Sequence, residues 1–130
     1  MEFNNTKVIF LEITDFNNGV LTYNGRPFPG KVLVMVQGDF CGYCTKAKPD
    51  FIKLANHHGA TTLADNSVVF ATIKIDGKTS ESELSKRLPE ITGVNLQGVP
   101  AYLLFQNGKF VALHDGGRDA GSLKKFLRLQ

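Results

Sequence analysis

The chain has 130 residues, 42% of them hydrophobic, with ten Phe, no Trp and two Cys. That is enough apolar content for one buried core and far from a disordered composition. The formal charge is only +3, and its Lys and Arg are scattered among acids, a solvated surface that gives no case for nucleic-acid binding. Two cysteines are too few for a disulfide scaffold and point instead to thiol chemistry.

Met1 to Thr6 is polar and lacks the apolar centre of a signal peptide. No apolar run approaches the ~20 residues that span a bilayer. The Asn4-Asn5-Thr6 sequon is therefore read as chance, and the expected setting is cytoplasmic, without membrane attachment. Lys7 to Ile13 reads as a first strand. Asp15 to Gly30, punctuated by Asn17-Asn18-Gly19, Asn24-Gly25, Pro27 and Pro29-Gly30, reads as turn and loop, with a short strand at Thr22-Tyr23.

Val32 to Val36 is an unbroken, mostly β-branched apolar run, as in a strand buried on both faces. Thr45 to His58 follows with helical spacing of Cys44, Ala47, Phe51, Leu54 and Ala55, and Pro49 inside it should kink the helix. Cys41 is thus expected where a buried strand turns into a helix. There, unpaired N–H groups and the positive end of the helix dipole favour a thiolate. Cys44 lies one turn on, close enough to close a disulfide. An exposed reactive thiol beside a resolving partner is what thiol–disulfide exchange requires. Lys46 and Lys48 are assigned to the solvated face of this helix, where they add positive potential near the thiols.

A zinc site is the rival for the cysteine pair, because His57 and His58 follow at a finger-like distance. They are adjacent, on different helix faces, and His57 would stand on the order of 20 Å from Cys44 along a helix. A tetrahedral site is rejected, and both read as exposed helix-end residues.

Gly59 to Ser67 is a polar loop, and Val68 to Ile75 a second buried strand. Thr79 or Ser80 caps a helix through about Pro89, with Glu83 completing a capping box on Ser80. Ile91 to Gly98 is loop. Ala101 to Phe105 and Phe110 to His114 flank Asn107-Gly108, a hairpin signal. Gly116-Gly117 ends the pairing, and Asp119 to Leu129 is an amphipathic helix. The order is β, loop, β–α–β–α–β–β–α in one domain over residues 1–130, parallel at first and antiparallel at the end.

This order, with Cys41-Gly42-Tyr43-Cys44 after the second strand, resembles the thioredoxin fold, an α/β architecture with a central mixed sheet flanked by helices. The likeness is to thioredoxins and the catalytic domains of protein disulfide isomerases. It extends through Pro49, Gly98-Val99-Pro100, Phe105-Gln106-Asn107-Gly108-Lys109 and Gly116-Gly117-Arg118 followed by Leu123 and Phe126, roughly residues 7 to 129.

The resemblance implies a thiol–disulfide oxidoreductase with Cys41 as nucleophile and Cys44 as resolving thiol. It implies a cis Pro100, with Val99 presenting backbone groups to an extended client and Phe40, Gly42 and Tyr43 completing the contact surface. Arg118 reads by itself as a solvated loop arginine, whereas the isomerase likeness implies that it swings toward the second thiol. Disulfide-bearing proteins would be the substrates, a reductase or glutathione the electron donor, and the enzyme a monomer without metal or cofactor. Two alternatives are a client-binding module with weak redox activity and a glutathione-dependent, glutaredoxin-like reductase.

Three departures stand out. Phe40 occupies the usual place of Trp, able to cover the disulfide. Met35 occupies that of a buried acid six residues before the first cysteine, which would leave Lys74 without the partner it has in the family. The stretch from Cys44 to Pro100 is longer, chiefly around residues 56 to 67.

Overall fold

The computed structural model of the chain describes residues 3, 6–60, 62–64 and 66–128. The sequon asparagines Asn4 and Asn5 and the helix end expected at Leu129 lie outside the described residues. The central strand, β5 (Lys31–Gln37), follows β1 (Val8–Phe10), β2 (Phe16–Asn17), β3 (Val20–Tyr23) and β4 (Arg26–Pro27). After it come α1 (Gly42–His58), β6 (Val68–Lys74), α2 (Thr79–Thr92), β7 (Ala101–Gln106), β8 (Lys109–Leu113) and α3 (Ala120–Arg128). A five-stranded sheet runs β1-β6-β5-β7-β8. β6 pairs in parallel with both β1 and β5, while β7 pairs antiparallel with β5 and β8.

The unbroken apolar run of β5 follows from its central position. Leu33 and Met35 enter a core with α1 and α3, through Phe51, Leu54, Leu123 and Phe126. Val32, Val34 and Val36 enter a second core with Leu84 and Leu88 of α2. Each residue alternates between two dry faces, so no polar position is tolerated until Gln37.

Several boundaries differ from expectation. The first strand spans three residues rather than seven: after the Leu11 N–H donates to the Thr72 carbonyl (2.9 Å) the chain leaves the sheet. Ile13–Asp15 form a 3-10 turn closed by the Glu12 N–H on Asp15 Oδ2 (2.8 Å). The segment read as loop holds a three-stranded antiparallel meander, β2-β3-β4. Its two tight turns are Asn18-Gly19 and Asn24-Gly25, all four residues at positive φ, the same chemistry as the Asn107-Gly108 hairpin. Strands of two to four residues are too short to show alternation in sequence. Tertiary contacts hold them: Leu21 is fully buried, its N–H donates to the Gly108 carbonyl (2.8 Å), and Phe16 packs edge-on against Phe105.

The cap of α2 also differs. Lys78 precedes the helix and its N–H donates to Glu81 (2.9 Å), while Ser80 bonds Glu12 (2.6 Å). The helix continues past Pro89 to Thr92 because that proline is exposed and its missing bond faces solvent, while Leu88 and Ile91 hold the turn to the core. At α3, Asp119 caps through the Ser122 N–H (3.1 Å), and the Ala120 N–H donates to Asp50 of α1 (3.1 Å).

Candidate functional site

The end of β5, the start of α1 and the loop before β7 meet at the cysteine pair. Helix α1 begins at Gly42, earlier than the periodic stretch from Thr45, so both cysteines sit at its first turn. Cys41 is the N-cap, and its sulfur accepts the Cys44 N–H at 3.1 Å, filling the role a Ser or Asp oxygen plays at ordinary helix starts. The Cys41 thiol also faces the Val99 carbonyl at 3.5 Å, next to the cis Val99–Pro100 bond. This contact joins residues 58 positions apart in the chain.

Contrary to the expected exposed thiol, Cys41 is only 8% exposed, tucked between its own helix turn and the Val99 loop. Cys44 is fully buried. Burial, and then the hydrogen bond with Cys41, push the Cys44 thiol up to about 11, against the lowering influence of the Gly38 backbone and the Lys48 charge. Around them Gly42 is open to solvent, and Phe40 (71%) and Tyr43 (66%) stand exposed. The Phe40 ring lies beside Gly38. Arg118 places its guanidinium over the Tyr43 ring, 5.2 Å from the centroid, rather than over the sulfurs.

Behind the thiols Met35 is fully buried, with Thr72 and Tyr102 as its Cα partners on β6 and β7. Polar groups nevertheless lie nearby. Gln37 donates to Thr72 (3.2 Å), which donates to the Met35 carbonyl (2.8 Å). Gln37 Oε1 and the Tyr102 hydroxyl are buried without a hydrogen-bond partner among the described residues. Burial raises the Tyr102 phenol, which also feels Arg118 and Cys44.

Lacking the family's buried acid at Met35, Lys74 pairs instead with Asp39: its ammonium is 2.8 Å from that carboxylate, and the Asp39 backbone N–H donates to Asp76 (2.9 Å). Lys74 keeps the Asp39 carboxyl below the usual carboxylate range, and Asp39 raises Lys74. Lys48 is not on the solvated face. It is 3% exposed, 3.8 Å from Asp39, with its ammonium 5.7 Å from the Phe3 ring centroid. Its spacing carried the signal, because four residues after Cys44 and three before Phe51 lies the stripe α1 buries. Lys46 is exposed, as are His57 and His58 at the opposite end of α1 from the cysteines.

The family whose model matches is described as thioredoxin, over residues 7–129. A thioredoxin-like protein, 453L of Invertebrate iridescent virus 6, is 42% identical over 109 residues, covering 78% of each chain. Among solved structures, the zinc-bound form of human ERp44 superposes with a TM-score of 0.69 at 20% identity, covering 95% of this chain and 30% of that one. A second crystal form of human ERp44 gives 0.69 at 19% identity, covering 98% and 31%. The chain thus spans about a third of those proteins, and this likeness concerns the fold. Among the described residues no helix is long and apolar enough to cross a membrane.

Proposed function

Because the chain belongs to the thioredoxin family, and carries its cysteine pair at the first turn of α1, we propose that it is a thiol–disulfide oxidoreductase acting on protein disulfides. The observation that carries this reading is the placement of Cys41, whose sulfur meets the Cys44 N–H and faces a backbone carbonyl beside Pro100.

In the forward reaction the Cys41 thiolate attacks one sulfur of a client disulfide. The client S–S bond breaks, its other sulfur leaves as a thiolate and takes a proton, and Cys41 is left in a mixed disulfide. Cys44 then loses its proton and attacks Cys41 Sγ. The Cys41–Cys44 bond forms, the second client thiolate leaves, and two electrons have passed to the client. A reductase or glutathione returns the pair to the dithiol. The client enters as an extended segment alongside Val99, over Phe40, Gly42 and Tyr43, with Arg118 at the rim. The Cys44 N–H donates to Cys41 Sγ at the start of α1 and so holds the attacking sulfur in place.

Trapping tests this. Cys44→Ala accumulates a mixed disulfide with disulfide-bearing substrates such as native insulin, and Cys41→Ser forms none. Equal trapping by both variants, or by neither, removes the assigned roles. One observation favours a second reading, a client-binding module with slow exchange: Met35 offers no proton acceptor and Cys44 is held protonated. Insulin reduction driven by a reductase or by glutathione separates the two, since a binding module captures client without turnover.

A further inference from the structure

The exposed aromatic rings of Phe40 and Tyr43 flank Cys41 in the chain, and a charge accompanies each. The two charges are in different states. Beside Phe40, the Asp39 carboxylate is taken up by Lys74 at 2.8 Å. Over Tyr43 lies the Arg118 guanidinium, 5.2 Å from the ring centroid, and none of the ion pairs among the described residues engages it. Acids near it in the chain are directed elsewhere. Asp119 accepts from the Ser122 hydroxyl (2.7 Å) and N–H (3.1 Å), and Asp115 forms no ion pair with it. Asp50 of α1 accepts from the Ala120 N–H (3.1 Å).

Arg118 reaches Tyr43 from a loop packed against its neighbours. The His114 ring Nε2–H donates to the Gly117 carbonyl (2.8 Å). A Cβ at Gly116 would meet His114 Cε1 at 2.8 Å, and one at Gly117 would meet Ser122 Oγ at 2.7 Å. Glycine is required at both because the backbone lies this close. A guanidinium stacked on an aromatic face keeps its N–H donors in its own plane, as a fork that matches a carboxylate. The stack also limits the side chain's freedom before an anion arrives, so less is lost on binding. Val99 faces Cys41 Sγ at 3.5 Å, and Tyr43 follows two residues on, in the first turn of α1. A client segment laid beside Val99 therefore has the fork close to its own reactive cysteine.

We propose that Arg118, stacked on Tyr43, is a specificity-determining residue that selects client segments carrying a carboxylate close to the reactive cysteine. This rests on the exchange reading above and names its substrate class, acidic segments of disulfide-bearing proteins. On the other flank the Asp39 carboxylate is already paired, so Phe40 contributes apolar contact without a charge preference of its own. Arg118 moves no proton in this scheme. It attracts the client and fixes its register, an effect that salt screens.

The test uses short peptides whose single cysteine carries a thiopyridyl group, with Glu, Gln or Lys placed beside that cysteine on either side. The Cys41 thiolate attacks the peptide sulfur, the bond to the thiopyridyl sulfur breaks, and pyridinethione leaves with a proton from solvent, so absorbance gives the rate. Each rate is divided by that with a small uncharged thiol, which removes differences among the peptides themselves. The wild-type chain prefers Glu to Gln by about three- to fivefold at low salt, the worth of an exposed ion pair, and disfavours Lys. Arg118→Gln abolishes the preference, while Arg118→Lys and Tyr43→Leu each keep only part of it. The ratio is internal to each variant, so a general loss of reactivity does not imitate its loss, and the wild-type series needs no variant to fold. Equal rates for Glu and Gln in the wild type, or a preference that survives Arg118→Gln, overturns the proposal. If Arg118→Gln slows only the reduction of the Cys41–Cys44 disulfide by glutathione, whose carboxylates offer the same chemistry, Arg118 serves the electron donor and the proposal falls. Absence of pyridinethione release with every peptide refutes the exchange reading instead. Peptides with serine for cysteine, titrated by NMR, then still report Glu against Gln at the Tyr43 and Arg118 resonances.

Discussion

Replacing Met35 by Glu puts a carboxyl into the layer behind Cys44. The side chain removed is fully buried, so about 1.5–3 kcal/mol of apolar burial is lost. A buried carboxyl oxygen without a partner costs about 1–3 kcal/mol more. Some of this returns, because Tyr102, the cross-strand partner of Met35, has a buried hydroxyl with nothing to donate to among the described residues. Lys74 offers no such relief without giving up its 2.8 Å contact with Asp39. The expected net cost is about 2–5 kcal/mol, read from urea unfolding. Burial raises the new carboxyl toward the working pH, where a general base is most effective. Base assistance is worth ~10²–10⁴-fold. Single-turnover decay of the mixed disulfide, followed from about pH 6 to about pH 9, is the assay. A folded Met35→Glu protein that resolves at the wild-type rate would show that the Cys44 proton already has an acceptor.

The wild-type protein should itself show a dependence on pH. Burial, the largest cause of the raised Cys44 thiol, persists in the mixed disulfide even though the Cys41 thiol no longer bonds to it, so resolution should quicken with pH above neutrality; a plateau near neutrality in quenched-flow traces would contradict this. The same raised thiol makes the native state hold a proton that the unfolded chain gives up, so stability falls as pH rises from 9.0 toward about 11. Tyr102→Phe removes a buried hydroxyl with no partner among the described residues and should leave stability unchanged or raise it by up to about 1 kcal/mol in denaturant titrations. Gly108→Ala should cost about 1–3 kcal/mol, because φ is +85° and the added Cβ would meet the Leu21 carbonyl oxygen at 2.7 Å; a thermal midpoint equal to wild type would refute that account.

Short-range pattern was enough for the frame. The Val32–Val36 run, the helical stripe from Cys44 to Ala55 and the Asn107-Gly108 turn each span a few residues, and local backbone preference and side-chain period determine them. So the cysteine pair at a strand-to-helix junction was legible, and so was the parallel-then-antiparallel order of the sheet. The electrostatics behind the thiols were not. The helical spacing of Lys48 marked it for the buried stripe, but which charge it meets there depends on how that stripe lies against the sheet. Lys74 and Asp39 are 35 positions apart and meet only because β5 and β6 lie side by side in parallel. The β2-β3-β4 meander likewise depends on Phe105 and Gly108, remote in sequence, to bury strands too short to declare themselves. Sequence alone determined where the sulfurs sit along the chain. Tertiary packing decided which charges they meet, because Coulomb interactions follow distance through space and burial, which residue order does not specify.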